Sequence, residues 1–179
     1  MRVIKIVTGL LLLAVFPLMG QGYRFVDVQQ VSIYGVNFDD NELSAVEHKM
    51  GSPLRKEREY DEEMQLYRIT YVYDSLNLEF TEFKQKTFLD YIEILSSRHP
   101  LNIEGHEVYV GDKIEKLRTL FPLAFENYEK EPSPMIRKDV LKVYMKYDIG
   151  GEWIFYGKIV FKIKNNTVTA IYVVYSAEF

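Results

Sequence analysis

The chain contains no cysteine. Disulfide staples, thiol catalysis, zinc–thiolate sites and a lipid-modified cysteine are thereby excluded. Basic residues are not in excess, with 22 Lys and Arg against 26 Asp and Glu, so the basic face or surplus that nucleic acid demands has no compositional support. No apolar run is long enough to span a bilayer. The longest, from Ile6 to Met19, is broken by Thr8, Gly9 and Pro17 and falls short of the roughly 20 residues a spanning helix needs. There is no G-x-S-x-G nucleophile motif, phosphate-cradling glycine loop or recognisable triad. The three histidines, His48, His99 and His106, have no i, i+4 partner for a metal.

What the chain does have is aromatic and apolar mass: 14 Tyr, 11 Phe and 47% hydrophobic residues in 179, ample material for a packed core. That length fits one domain or two small ones leaning on each other. The first 22 residues, MRVIKIVTGLLLLAVFPLMGQG, join Arg2 and Lys5 to the short apolar run and end in small residues. This is the layout of a secretory signal peptide, with Gly20 and Gly22 placed for a cut before Tyr23; the alternative is a retained N-terminal anchor. Residues 23–179 then carry 20 basic and 26 acidic groups. An exported chain without disulfides must hold together by burial and hydrogen bonding alone.

Two short amphipathic helices are expected. In the first, Asp39 is placed as N-cap with Glu42 at N3, Leu43, Val46 and Met50 form one stripe, and Gly51 with Pro53 stops the helix. In the second, Asp112 and Glu115 repeat the cap spacing, Ile114, Leu117 and Phe121 repeat the stripe 71 residues later, and Pro122 stops it. Strand-like segments trail each helix. Leu66–Asp74, Ser75–Phe83 and Asp90–Ser97 follow the first; Leu141–Asp148, Gly157–Lys164 and Ile171–Ala177 follow the second, with Asn165-Asn166 as a hairpin turn. The stretch Phe125–Asp139, with two prolines and mixed charges, reads as a long loop.

These elements predict an α+β protein: residues 1–22 as signal peptide, residues 23–98 as one repeat and residues 99–179 as a second. Each repeat is a short helical segment packed on an antiparallel meander, the two sharing one curved sheet. The pattern of strand, turn, capped helix, proline stop and meander, carried by Asp39–Pro53 and Gly111–Pro122, resembles the β-lactamase-inhibitor-protein-like fold and the small outer-membrane-assembly lipoproteins that share its unit. The resemblance implies two tandem units with helices on one side of the sheet and a role in binding another protein by the open side. It carries over no functional residue, and the chain departs from the lipoproteins in lacking their lipidation cysteine.

Strand alternation points Lys142, Tyr144, Lys146, Lys158, Lys162 and Lys164 outward from the second repeat, and Arg68, Asn77, Glu79, Tyr91 and Glu93 from the first. Tyr23–Arg98 holds 9 basic and 15 acidic residues and His99–Phe179 holds 11 of each, so the halves differ electrically. Tyrosine among lysines suits protein recognition. The expected function is therefore an exported, non-enzymatic binding module, periplasmic or secreted, that uses its open sheet face as an inhibitor, immunity-type or assembly partner of another envelope or secreted protein, one with an acidic surface matching the lysines. No cofactor, metal, nucleic acid or stable membrane span is expected. Other readings are a small-ligand or lipid binder, and a carboxylate-dependent hydrolase with an inter-repeat cleft, using a pair such as Glu79 and Glu93. His48 with Glu47, and the acidic clusters Asp39-Asp40 and Asp61-Glu62-Glu63, read as helix face, cap and turn in preference to metal or calcium ligands.

Overall fold

A computed structural model describes residues 25–38, 42–84, 86–130, 139–150 and 152–175; the expected signal peptide and Asp39 lie outside them. The order is β1 (Val26–Asp27), a 3-10 turn at Val28–Gln30, β2 (Val31–Ile33), β3 (Val36–Asn37), α1 (Leu43–Met50), β4 (Arg55–Asp61), β5 (Leu66–Tyr73), β6 (Leu76–Phe83) and β7 (Lys86–Ile94). There follow β8 (Leu101–Ile103), β9 (His106–Val108), α2 (Ile114–Leu120), α3 (Pro122–Lys130), β10 (Val140–Ile149), β11 (Glu152–Lys164) and β12 (Thr167–Tyr175). The protein is α+β and mostly strand.

Eight strands form the large sheet in the order β1-β10-β11-β12-β7-β6-β5-β4. The two meanders join through β12 and β7, the last strand of each, paired antiparallel with Val173 opposite Ile92 and Ile171 opposite Ile94. One pairing departs from the expected antiparallel pattern: β1 runs parallel to β10. A second sheet, ordered β3-β2-β8-β9, had no counterpart in the predicted strands. Its hairpins turn at Tyr34-Gly35 and Glu104-Gly105, both pairs at positive φ, as a two-residue hairpin of this type requires. The signal was present in the Ile-x-Gly triplets at Ile33 and Ile103.

One face of the large sheet is covered. Ile69, Leu78, Phe80, Ile92, Val143, Ile159, Phe161 and Val173 are buried there together with Val31, Ile33, Leu101 and Ile103 of the small sheet. The expected helix stripes pack into the same core: Val46 and Leu117 are fully buried, Ile114 and Phe121 nearly so, and Leu43 and Met50 lie against it. Phe121 stacks on Phe161 at 6.0 Å, which fixes α2 to β11. Backbone bonds add a second anchor, since Gly111 N–H donates to the Val168 carbonyl and Ile114 N–H to that of Asn166.

Three local expectations are corrected. Glu42 is the N-cap residue of α1 and makes no side-chain capping bond, so it is not the N3 partner of an Asp39 cap. Lys113, not Asp112, precedes α2 as N-cap; the Asp112 carboxylate turns back to accept from Tyr109 N–H at 2.8 Å and pairs with Lys116. Pro122 does not end the helical region but opens α3, because proline's fixed φ and missing N–H suit a first helical position. Residues 125–130 of the expected loop are therefore helix. The stop after α1 is as expected, with Gly51 at φ 81° and its N–H on the Glu47 carbonyl.

Candidate functional site

The large sheet's other face carries no helix among the described residues, and alternation along each strand decides what stands on it. On β10, Leu141, Val143 and Met145 are buried while Lys142 is exposed and Tyr144 and Lys146 are half-buried. On β11, Ile159, Phe161 and Ile163 are buried, Lys158 is half-buried, and Lys162 and Lys164 are exposed. All six residues singled out from the sequence thus stand on the uncovered side of two adjacent strands. Tyr144 lies opposite Lys158 in register, its ring 5.6 Å from that of Phe155, which is 47% exposed. The Lys162 ammonium sits over the Tyr172 ring at 4.8 Å.

At the seam, Tyr91 of β7 and Tyr172 of β12 stack at 6.1 Å and 28°. Burial and the neighbouring Glu93 carboxylate raise the Tyr91 phenol above its ordinary range. Beyond the seam the face turns acidic. Glu93 accepts from Asn77 Nδ2 at 2.7 Å, and Glu79 stands opposite Tyr91. On β4, Glu57 and Glu59 lie opposite Thr70 and Arg68, and Asp61 pairs with Arg68 at 3.2 Å.

Asp90 joins this group through a feature that alternation cannot reveal. The register between β6 and β7 slips between Glu79 and Phe80, so that Tyr91 and Leu89 pair in succession and Asp90 is the extra residue of a bulge. Its carboxylate accepts a hydrogen bond from the Thr81 hydroxyl. Desolvation raises Asp90, with Thr81 and Arg68 opposing. Glu79 is raised first by desolvation; Arg68 opposes this, and the carboxylates of Glu93 and Asp90 reinforce it. Five lysines on β10–β11 thus face the same side as six carboxylates on β4–β7, where the cations are Arg55, Arg68 and, at the start of β7, Lys86.

The other candidates resolve into structural contacts. Glu47 is held by Lys56 at 2.7 Å and by the Tyr71 hydroxyl at 2.7 Å, so it is not a ligand partner of exposed His48. Asp61 accepts from Met64 N–H at 2.9 Å and closes the β4–β5 turn; Asp39-Asp40 lies outside the described residues. His99 bridges Tyr34 and the Asp74 carbonyl in the segment joining β7 to β8. Among the described residues no group of three or more acidic or His side chains could hold a metal, and no helix is long and apolar enough to cross a membrane. A shallow hollow of about 260 Å³ between α2 and α3 is lined by Arg118, Phe125 and Glu129, with the arginine engaged by both neighbours.

Compared with family models, curated proteins and solved structures, the chain matches none.

Proposed function

We propose that the protein is an exported binding module, without catalysis of its own, that recognises another protein of the envelope or extracellular space through the open face of its large sheet. The observation that carries this reading is the segregation of that face into a lysine field and a carboxylate field meeting at stacked tyrosines. Tyr144, beside exposed Phe155, supplies contact area at small entropic cost. Lys142, Lys146, Lys158, Lys162 and Lys164 around it steer an acidic surface into place. The hydrolase reading is less well supported, because Glu79, Asp90 and Glu93 stand on a sheet face whereas glycosidic chemistry uses a pair flanking a cleft.

The architecture in this proposal is two tandem units, roughly residues 23–98 and 99–179, of the β-lactamase-inhibitor-protein-like kind. Support comes from the order hairpin, helix, meander occurring twice, from Ile-x-Gly turns 70 residues apart and from helix stripes 71 apart. The antiparallel pairings β2–β8 and β7–β12 also place matching strands side by side in both sheets. The N-terminal 22 residues direct export.

The test is affinity capture from the host's envelope with wild-type and Tyr144→Ala chains as bait. A stoichiometric partner retained by the first and lost by the second, with unchanged melting temperature, supports the reading. A partner retained equally by both moves recognition elsewhere.

A further inference from the structure

We infer that the occupant of the open face is a second copy of this chain, docked about a two-fold axis running along the β7–β12 seam. This rests on the reading of that face as a recognition surface and adds self-association to it, the second copy competing with any other protein for the same face.

A surface of one sign asks for a partner of the other; this face has both signs, on opposite sides of a line. The lysines of β10 and β11 lie on the β12 side of the seam, and Asp90 and Glu93 of β7 and Glu79 of β6 on the β7 side. Turning one copy over onto another about an axis parallel to that line sets each lysine field against the other copy's carboxylate field, twice over. A two-fold interface is self-complementary by construction, and this face meets that condition with its own residues.

Three further properties agree. The axis passes through Tyr91 and Tyr172, stacked at the seam, so both copies bring aromatic rings to the centre, where hot spots concentrate. Two sheets stacked face to face keep their strands within about 30° of alignment, compatible with an axis along the strands. Area is also adequate. Seven strands from β10 to β4, spaced about 4.8 Å and taken at about eight residues each, give a face on the order of 750 Å², near the roughly 800 Å² per partner of a standard interface.

The half-buried carboxylates fit the same geometry. Desolvation already disfavours charge on Glu79 and Asp90, with Arg68 as the near cation. An ammonium group delivered by the other copy adds to the partial compensation that Arg68 gives these two carboxylates.

Charge exchange tests this. The full chain is expressed, and the recovered protein is followed by sedimentation velocity in low salt and in 1 M salt, where the screening length is about 3 Å. Wild type should sediment as a dimer in low salt and shift towards monomer in high salt. Lys142→Glu with Lys158→Glu, and separately Glu79→Lys with Glu93→Lys, should each weaken self-association about tenfold or more, because each puts like charges into both of the opposed pairs of fields. Mixed one to one, the two variants should form a heterodimer, since both opposed fields are again complementary. Glu57→Lys with Glu59→Lys, on the exposed edge strand, replaces the second variant if that one does not fold. Wild type that stays monomeric at about 100 µM in low salt, or variants that do not recover association on mixing, would overturn the inference. If wild type is monomeric while Tyr144→Ala still abolishes capture of a different protein, only the second-copy inference falls. If Tyr144→Ala changes neither capture nor self-association, the recognition face itself is wrong.

Discussion

The hydroxyl of Tyr71 on β5 donates to the carboxylate of Glu47 on α1 at 2.7 Å, and the same carboxylate holds Lys56 of β4 at 2.7 Å. One acidic side chain thus ties the first helix to β4, the edge strand, and to its neighbour β5. Lys56 and Tyr71 hold Glu47 below the usual carboxylate range, while burial and the Glu47 bond raise the Tyr71 phenol.

The signs predict stability losses at both ends of the pH scale. For Glu47 the unfolded chain binds the proton more readily, so its contribution is complete above the ordinary glutamate value of about 4.3 and fades as pH falls. For Tyr71 the folded chain keeps the proton longer, so its contribution is complete below about 10 and fades as pH rises. Thermal melting of wild type and Glu47→Gln should show a gap at pH 7 that narrows in acid. A gap independent of pH would mean that the carboxylate's charge is not involved.

Asp90 predicts the opposite acid behaviour. Its carboxyl is raised by desolvation, so the folded state favours its neutral form, and its contribution is complete below the ordinary aspartate value of about 3.9 and is lost as pH rises. Asp90→Asn should therefore gain stability relative to wild type between pH 4 and pH 8. Denaturant midpoints at the two values decide it; a constant difference would place the side chain in water.

Leu117 is fully buried on α2. Leu117→Ala should lower unfolding free energy by about 2–5 kcal/mol, as buried large-to-small changes do. An unmoved urea midpoint would show that the helix does not contribute its stripe to the core.

Tyr144→Ala is expected to leave the fold nearly unchanged, because the side chain is half-buried on the uncovered face, yet to weaken partner binding by more than about 1 kcal/mol. Lys142→Ala and Lys162→Ala should chiefly slow association in low salt. Stopped-flow mixing with the captured partner separates these effects, and unfolding of the tyrosine variant would reverse the assignment of faces.

Export predicts removal of the leader before Tyr23, given Arg2, Lys5, the short apolar run and Gly20 with Gly22. N-terminal sequencing of protein recovered from the host envelope reads the outcome directly, and an intact Met1 contradicts cleavage.

Local patterns were legible wherever physics is local. The two-residue period of Leu141 to Tyr147 assigned inside and outside because successive strand side chains alternate. The stripe Ile114, Leu117, Phe121 located a buried helix face, and Asn165-Asn166 marked a turn because asparagine tolerates the positive φ found there. The lysine half of the candidate site follows from that alternation alone. What tertiary structure decided is non-local. That β7 meets β12 depends on which edges remain unpaired after each meander has closed. That β1 runs parallel to β10 depends on where the chain enters the sheet. Asp90 reaches the acidic field only because a bulge slips the register by one residue, and a bulge depends on the partner strand as much as on its own sequence. Pro122 could stop one helix or start another, and packing of Phe121 and Phe125 into the core selects the second.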